Sequence, residues 1–357
     1  MKIATIIGAR PQFIKASIIS NLLKNRNNIE EIIINTGQHF DKNMSDIFFI
    51  ELEISKPKYN LEIHSCSHGK MIGEMIKNIE ILLQIEKPDI VLLYGDTNST
   101  LAGAISASKI HIPIAHVEAG LRSYDKKMPE EINRILTDHV SSLLFCPTKQ
   151  AVKNLLKEGF DINNIKLVGD VMYDLFLKYK NKCKNRNILN TMPSKNYCLM
   201  TIHREENATE EKIKEILSMV QDVCDKFNLN FVFPIHPRTL KFVKHKLDYP
   251  KIIFISPVSY MDMLSLELNA KLIVTDSGGI QKEACWSKVS CITIRNSTEW
   301  IETIENRWNI LTGINKIKFE KAVYNFLVNN YERKIPDYGN GESSEKIINE
   351  IVKGTIS

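Results

Sequence analysis

The 357-residue sequence has no Lys/Arg-rich block with interleaved aromatics, and a net charge of +5 is small for that length, so nucleic acid is not an expected partner. No apolar run approaches membrane-spanning length. The opening MKIATIIGARPQF has a single lysine and breaks at Gly-Ala-Arg-Pro, too short and wrongly flanked for a secretory signal. Cytoplasmic residence without membrane insertion is therefore expected. The seven cysteines (66, 146, 183, 198, 224, 285 and 291) are odd in number, lack a C-x-x-C pair and fall partly inside apolar runs. They suit free thiols in a reduced compartment. Missing too are H-x-x-H and H-E-x-x-H spacings, which argues against a zinc site. The absence of G-x-G-x-x-G, G-x-x-x-x-G-K-[ST] and G-x-S-x-G removes the usual warrants for NAD binding, nucleoside triphosphatase chemistry and serine hydrolysis.

What the chain does have is an alternation of short β-branched runs with stretches of helical period. Ile3–Ile7, Ile32–Asn35, Ile90–Tyr94, Ile114–Val117 and Leu143–Cys146 read as buried parallel strands. Helical spacing fills Phe13–Leu23, Met71–Leu83, Ser99–Ile110, Glu130–Val140 and Ala151–Glu158. The pattern restarts at Tyr197–Ile202 and continues through Phe231–Ile235, Ile252–Ile255, Leu272–Thr275 and Cys291–Ile294. Between the two series, the Lys- and Asn-rich Lys178–Lys195 is the expected boundary. Two α/β, doubly wound, Rossmann-like domains follow, over residues 1–180 and 181–342.

In such sheets ligands bind beyond the carboxyl ends of the strands. Leu272–Glu283, LIVTDSGGIQKE, ends an apolar run in Thr-Asp-Ser-Gly-Gly and turns at once into helix-forming residues. Such a turn either cradles a phosphate on unpaired helical N–H groups or only relieves sterics. After the first strand, Gly8-Ala9-Arg10-Pro11-Gln12-Phe13-Ile14-Lys15 offers two cations, Arg10 and Lys15, that could face an anion. Asp96 and Glu118 end two later strands, and Met128-Pro129-Glu130-Glu131-Ile132-Asn133-Arg134 opens a helix with acids in its first turn. Three carboxylates converging on one cleft suit proton abstraction and return. His203-Arg204 and His236-Pro237-Arg238 end strands of the second series.

GARPQFIKA at 8–16, NTGQHFD at 35–41, GDTNSTLAGA at 95–104, HVEAGLRS at 116–123, MPEEINR at 128–134, HREEN at 203–207 and TDSGGIQKEA at 275–284 resemble, in order, the non-hydrolysing UDP-N-acetylglucosamine 2-epimerases. The resemblance implies a GT-B-like fold with a cleft between the two domains, a C-terminal helix (within 343–357) returning to the first domain, and a homodimer. It implies inversion of C2 in a UDP-N-acetylhexosamine through a 2-acetamidoglucal, with no cofactor. By the same resemblance Asp96, Glu118, Glu130 and His203 are catalytic. Arg10 and Lys15 meet the phosphates, Ser277, Gly278 and Gly279 cradle the pyrophosphate, Glu283 holds the ribose hydroxyls and Arg295 serves the nucleotide side. Arg122, Asn133, Arg134, Arg204 and His236 complete the expected substrate-binding set.

Some motifs depart from the best-known members. Gln38-His39 runs into Phe40-Asp41, and Ser67-His68 stands where an Arg-Gln pair would be, which puts allosteric activation by UDP-GlcNAc in question. Several motifs, including Asp41–Phe49, look closer to the branch acting on UDP-2,3-diacetamido-2,3-dideoxy-glucuronic acid. For its C6 carboxylate, Arg122, Lys126 and Lys127 are candidate partners. A GT-B glycosyltransferase, a hydrolysing 2-epimerase and a sugar-nucleotide sensor are the alternatives.

Overall fold

The computed structural model describes residues 1–38, 49–192, 196–235, 237–243, 248–329 and 331–354. The chain divides into two compact units, Met1–Leu177 with the segment from Asp337 onward, and Lys178–Pro336.

In the first unit seven strands, β1 (Lys2–Ile7), β2 (Glu30–Asn35), β3 (Tyr59–Asn60), β4 (Ile90–Tyr94), β5 (Ile114–Val117), β6 (Leu143–Cys146) and β7 (Ile165–Leu167), form one parallel sheet. Their spatial order is β3-β2-β1-β4-β5-β6-β7. Every residue of β4 and β5 is buried, as strands covered on both faces require. The order reverses at β1 and β4, and this switch point opens a crevice at the strands' carboxyl ends. Three helices start there. Arg10–Leu23 follows β1, with Pro11 in its first turn, and Asn98–Lys109 follows β4, where Thr97 accepts from the N–H of Thr100 at 3.3 Å. Pro129–Val140 follows β5 after a loop and carries Glu130 and Glu131 in its first turn.

The helix Ser343–Gly354 belongs to this same unit and buries Ile347, Ile348 and Ile351. Its start is held by Asp174, which accepts from the N–H of Ser344 at 2.7 Å and from its hydroxyl at 2.9 Å. Arg26 donates to Glu345 at 2.9 Å and to Asn349 at 3.2 Å.

The second unit repeats the design. Strands β8 (Cys198–Thr201), β9 (Phe231–Pro234), β10 (Ile252–Ile255), β11 (Ile273–Thr275), β12 (Cys291–Thr293) and β13 (Asn309–Leu311) lie parallel in the order β10-β9-β8-β11-β12-β13. The helix Glu210–Phe227 sends Ile213, Ile216, Leu217, Val220, Val223 and Cys224 into a core shared with Phe231 and Phe233. It ends on Asn228 at φ 51°, a left-handed cap.

Three strands escape the sequence pattern: β3, β7 and β13 are two or three residues long and lie at sheet edges. Their sequences, Tyr-Asn, Ile-Lys-Leu and Asn-Ile-Leu, each carry a polar residue that interrupts any apolar run. The segment expected as the boundary, where the second unit begins, also carries helical structure. The helix Val171–Cys183 continues into it because Tyr179 and Cys183 are buried, and a short 3-10 turn, Asn187–Thr191, follows.

Asp174→Ala should leave the Ser344 N–H without its charged acceptor. A loss of about 2 kcal/mol in chemical denaturation is expected, with faster hydrogen exchange confined first to 343–354.

Candidate functional site

In the first unit the side chains that gather at the strand ends are held in pairs. Gln12 accepts from the N–H groups of Gly8 and Ala9 at 2.9 and 3.1 Å, and its own amide donates to the carbonyl of Tyr94 at 3.2 Å. The turn after β1 is thereby tied to the end of β4. From the same helix, the ammonium of Lys15 is buried against the carboxylate of Glu118. Gly95 lies over that pair: a Cβ there would fall 2.9 Å from Lys15 Nζ and 3.4 Å from Glu118 Oε1, and φ is +64°. Glycine alone fits such a position comfortably.

Glu118 itself sits at φ 74°, a left-handed conformation for a residue with a Cβ. Strain of this kind costs on the order of 1–2 kcal/mol and is offset locally. Here the N–H groups of Glu118 and Ala119 both donate to the carbonyl of Phe145 at 3.1 Å.

The second pair is Asp96 with Arg134. The guanidinium of Arg134, almost fully buried, bonds Asp96 through one nitrogen and Glu131 through another. Glu131 in turn accepts from the N–H and hydroxyl of Ser123 at 2.9 and 3.0 Å and from the N–H of Tyr124 at 2.8 Å. Asn133 donates to the carbonyl of Asp96 at 2.9 Å and to Asn98 at 3.2 Å. Glu130 and Arg10 are half-buried at the first turns of their helices. Thus Asp96, Glu118, Lys15, Asn133 and Arg134 form one constellation, in which Asn133 and Arg134 act on Asp96.

Two of the expected substrate-binding residues have close protein partners. Arg122 is buried, donates twice to Glu158 at 2.7 Å, and also donates to Asp138 and to the carbonyl of Leu121, both at 2.7 Å. Its donors are used in holding the loop after β5 to the helix Pro129–Val140 and to Glu158. Lys15, expected to meet phosphate, is the ion-pair partner of Glu118. The exposed Lys126 and Lys127 remain solvent-side loop residues.

The second unit presents the Thr275-Asp276-Ser277-Gly278 turn between β11 and the helix Gly278–Trp286. Ser277 donates its N–H to Thr275 Oγ1 at 3.0 Å, and Gly278 and Gly279 open the helix, where N–H groups have no partner within it. Asp276, fully buried, accepts from the N–H groups of His203 (3.1 and 3.2 Å) and Arg204 (3.0 Å) and from the side chain of Asn207 (3.1 Å). The His203 turn is thereby locked to the glycine turn. The imidazole stays half-exposed, with Nδ1 3.6 Å from Asp276.

Glu299 adds an element that the motifs did not reveal. It pairs with Arg295 at 2.9 Å and approaches Arg204 at 4.0 Å. A Cβ on Gly278 would lie 2.5 Å from Glu299 Oε1 and 3.2 Å from Trp300 Nε1, so the carboxylate rests against the helix start. The i,i+4 spacing of Arg295 and Glu299 was the only signal for it. Glu283 is buried near Tyr260, whose hydroxyl is held well above its ordinary range by burial and then by the charges of Glu283 and Glu267. Beside it Lys282, also buried, lies 3.7 Å from the centroid of the Trp300 ring. His236 and the His39–Asp41 part of the altered motif lie outside the described residues. Among the described residues no three His, Cys, Asp or Glu side chains gather as a metal site would require, and no helix is long and apolar enough to cross a membrane.

The family model described as UDP-N-acetylglucosamine 2-epimerase matches residues 21–352. A UDP-N-acetylglucosamine 2-epimerase homolog of Methanococcus maripaludis is 52% identical, with 98% of each chain covered. The UDP-2,3-diacetamido-2,3-dideoxy-D-glucuronate 2-epimerase of Pseudomonas aeruginosa is 44% identical over 99% of this chain and 100% of that one. Among solved structures, the Methanocaldococcus jannaschii UDP-GlcNAc 2-epimerase in complex with UDP-GlcNAc and UDP superimposes with a TM-score of 0.94 at 47% identity, covering 99% of this chain and 100% of that chain.

Removing the Asp276 carboxylate strands several buried donors at once. Asp276→Ala should lower the unfolding free energy by about 3 kcal/mol in urea titration. A loss below about 1 kcal/mol would show that the His203 turn is held by other contacts.

Proposed function

The chain belongs to the UDP-N-acetylglucosamine 2-epimerase family, and from that premise we propose that it inverts C2 of a UDP-N-acetylhexosamine, interconverting UDP-GlcNAc and UDP-ManNAc. The observation that carries this reading is the presence of Asp96 and Glu118 at the ends of adjacent strands β4 and β5, each aligned by a buried cation.

The chemistry follows from what the sugar requires. A base takes the C2 proton, the C2–H electron pair becomes the C1=C2 double bond, and the C1–O bond to UDP breaks. The glucal then takes UDP back at C1 and a proton on the opposite face of C2. Electrons balance without an oxidant. Each face needs a positioned proton carrier, and Asp96, Glu118 and Glu130 are the groups assigned to that work. Departing UDP needs N–H groups and cations at its pyrophosphate. Ser277, Gly278 and Gly279 are assigned to the first need, Arg10, Arg204 and Arg295 to the second, with His203 at the adjoining turn and Glu283 on the ribose.

On this reading Glu299 holds Arg204 and Arg295 until an anion competes for them. The uronate substrate is the second reading, favoured by the 44% identity to the Pseudomonas aeruginosa enzyme. With Arg122 committed to Asp138 and Glu158, Lys126 and Lys127 are the cations left for a C6 carboxylate in that case. We further propose action as a homodimer in the cytoplasm, on precursors of a surface polysaccharide of the O-antigen kind; light scattering on the purified protein checks the dimer.

Incubation with UDP-GlcNAc in deuterated water should yield a second UDP-sugar with deuterium at C2, read by NMR. Free UDP with free sugar would mean hydrolysis instead, and turnover that starts only when a sugar acceptor is added would mean glycosyl transfer. Running the diacetamido uronate alongside distinguishes the two substrates. Asp96→Asn should slow C2 exchange by about 100-fold or more while UDP affinity stays near wild type. Unchanged exchange would remove Asp96 from the chemistry.

A further inference from the structure

Glu299 is an acid seated where an anion is wanted. Its carboxylate is almost entirely buried, with Oε2 2.9 Å from Arg295 and Oε1 4.0 Å from Arg204. The same Oε1 rests on the first residue of the helix Gly278–Trp286, since a Cβ on Gly278 would fall only 2.5 Å from it. The first N–H groups of a helix have no partner within it, and the positive end of its dipole attracts negative charge. These guanidinium groups and this helix start are the partners that departing UDP needs for its pyrophosphate.

On either side of Glu299 the chain is fastened to that same helix. Just before it, the hydroxyl of Thr298 donates to Gln281 Oε1 at 2.7 Å, and Gln281 Oε1 also accepts from Asn309 at 3.0 Å. Just after it, the N–H of Trp300 donates to Thr298 Oγ1 at 3.2 Å, while the ammonium of Lys282 lies 3.7 Å from the centroid of the Trp300 ring. Thr298, Trp300, Gln281 and Lys282 are all buried. The main chain at position 299 is therefore held beside the glycine turn, and only the side chain is left to turn.

We propose that Glu299 is a tethered competitor for the phosphates of the nucleotide, one that claims the same cations and the same helix start and so limits how tightly UDP and UDP-sugars are held.

The tether keeps the carboxylate at high effective concentration, so any phosphate that enters must compete with it. Such a device suits the reaction. An epimerase returns UDP to the sugar and must then release the whole UDP-sugar, and a site that gripped phosphate with every available donor would retain its product. A residue that only aligned Arg204 and Arg295 for the substrate would strengthen binding, and its removal would weaken it. A competitor acts with the opposite sign. This inference rests on the assignment of the glycine turn to UDP, but competition with a phosphate at that turn can be measured apart from it.

Binding of UDP, uridine and inorganic pyrophosphate to the full-length protein is measured by calorimetry in wild type, Glu299→Gln and Glu299→Asp. Glutamine keeps an oxygen acceptor for Arg295 without the charge, and aspartate draws the charge back from Gly278 by one methylene. Pyrophosphate and UDP should bind the Gln variant about tenfold more tightly than wild type, with Asp in between and uridine equal in all of them. In steady-state epimerisation, KM for UDP-GlcNAc should fall in the Gln variant while kcat does not rise. Weaker or unchanged pyrophosphate binding in the variants would overturn the competitor, as would a uridine affinity that shifts as far as that of UDP. If circular dichroism shows the Gln variant unfolded, the comparison of Asp with wild type decides by the same sign. If wild type binds pyrophosphate but neither UDP nor UDP-GlcNAc, the epimerase reading falls, and the order of pyrophosphate affinities still decides whether Glu299 competes.

Discussion

A guanidinium buried between two carboxylates organises the first unit. Arg134 spans Asp96 and Glu131, and Glu131 also takes the backbone N–H groups of Ser123 and Tyr124. Through that one cation the end of β4, the loop after β5 and the start of the helix Pro129–Val140 are fixed to one another. Removing charges from water costs several kcal/mol per ion, and an ion pair repays it only when the remaining lone pairs are also satisfied. Glu131 meets that condition with three further donors. It is therefore a structural acid, whereas its neighbour Glu130, one residue earlier and less buried, points to a different use.

The second unit reaches the same end with a lone acid. Asp276 gathers main-chain donors from the turn after β8 and fixes them beside the glycine turn after β11, its neighbour in the sheet. Both units thus use buried carboxylates to lock the carboxyl ends of adjacent parallel strands, where every loop would otherwise be independent. Rigid placement of this kind is what proton transfer to carbon demands, since small errors in position cost rate steeply.

Much of this was legible in the residue pattern, and the reasons for the gaps are physical. Fully buried strands such as β4 and β5 announce themselves as apolar runs, and the acids that end them, Asp96 and Glu118, are conspicuous there. The edge strands β3, β7 and β13, each interrupted by a polar residue, leave no such trace. Nor does a sequence say which cations are already engaged: Arg122 and Arg134 look alike in their motifs, yet one supports a loop through Asp138 and Glu158 while the other grips Asp96. Partners distant in the chain decide that, and so the ion pair of Lys15 with Glu118, 103 residues apart, could not be read in advance.

The helix that begins at Ser343 is latched through Ser344 to Asp174, 170 residues before that serine, and lies in the first unit although the whole second unit separates them in the chain. The two units therefore differ in what a C-terminal cut removes. The second unit is one unbroken stretch, Lys178–Pro336, and keeps every residue of its core. The first unit loses the partner for the surface that Ile347, Ile348 and Ile351 bury, so its sheet is left with an open helical layer.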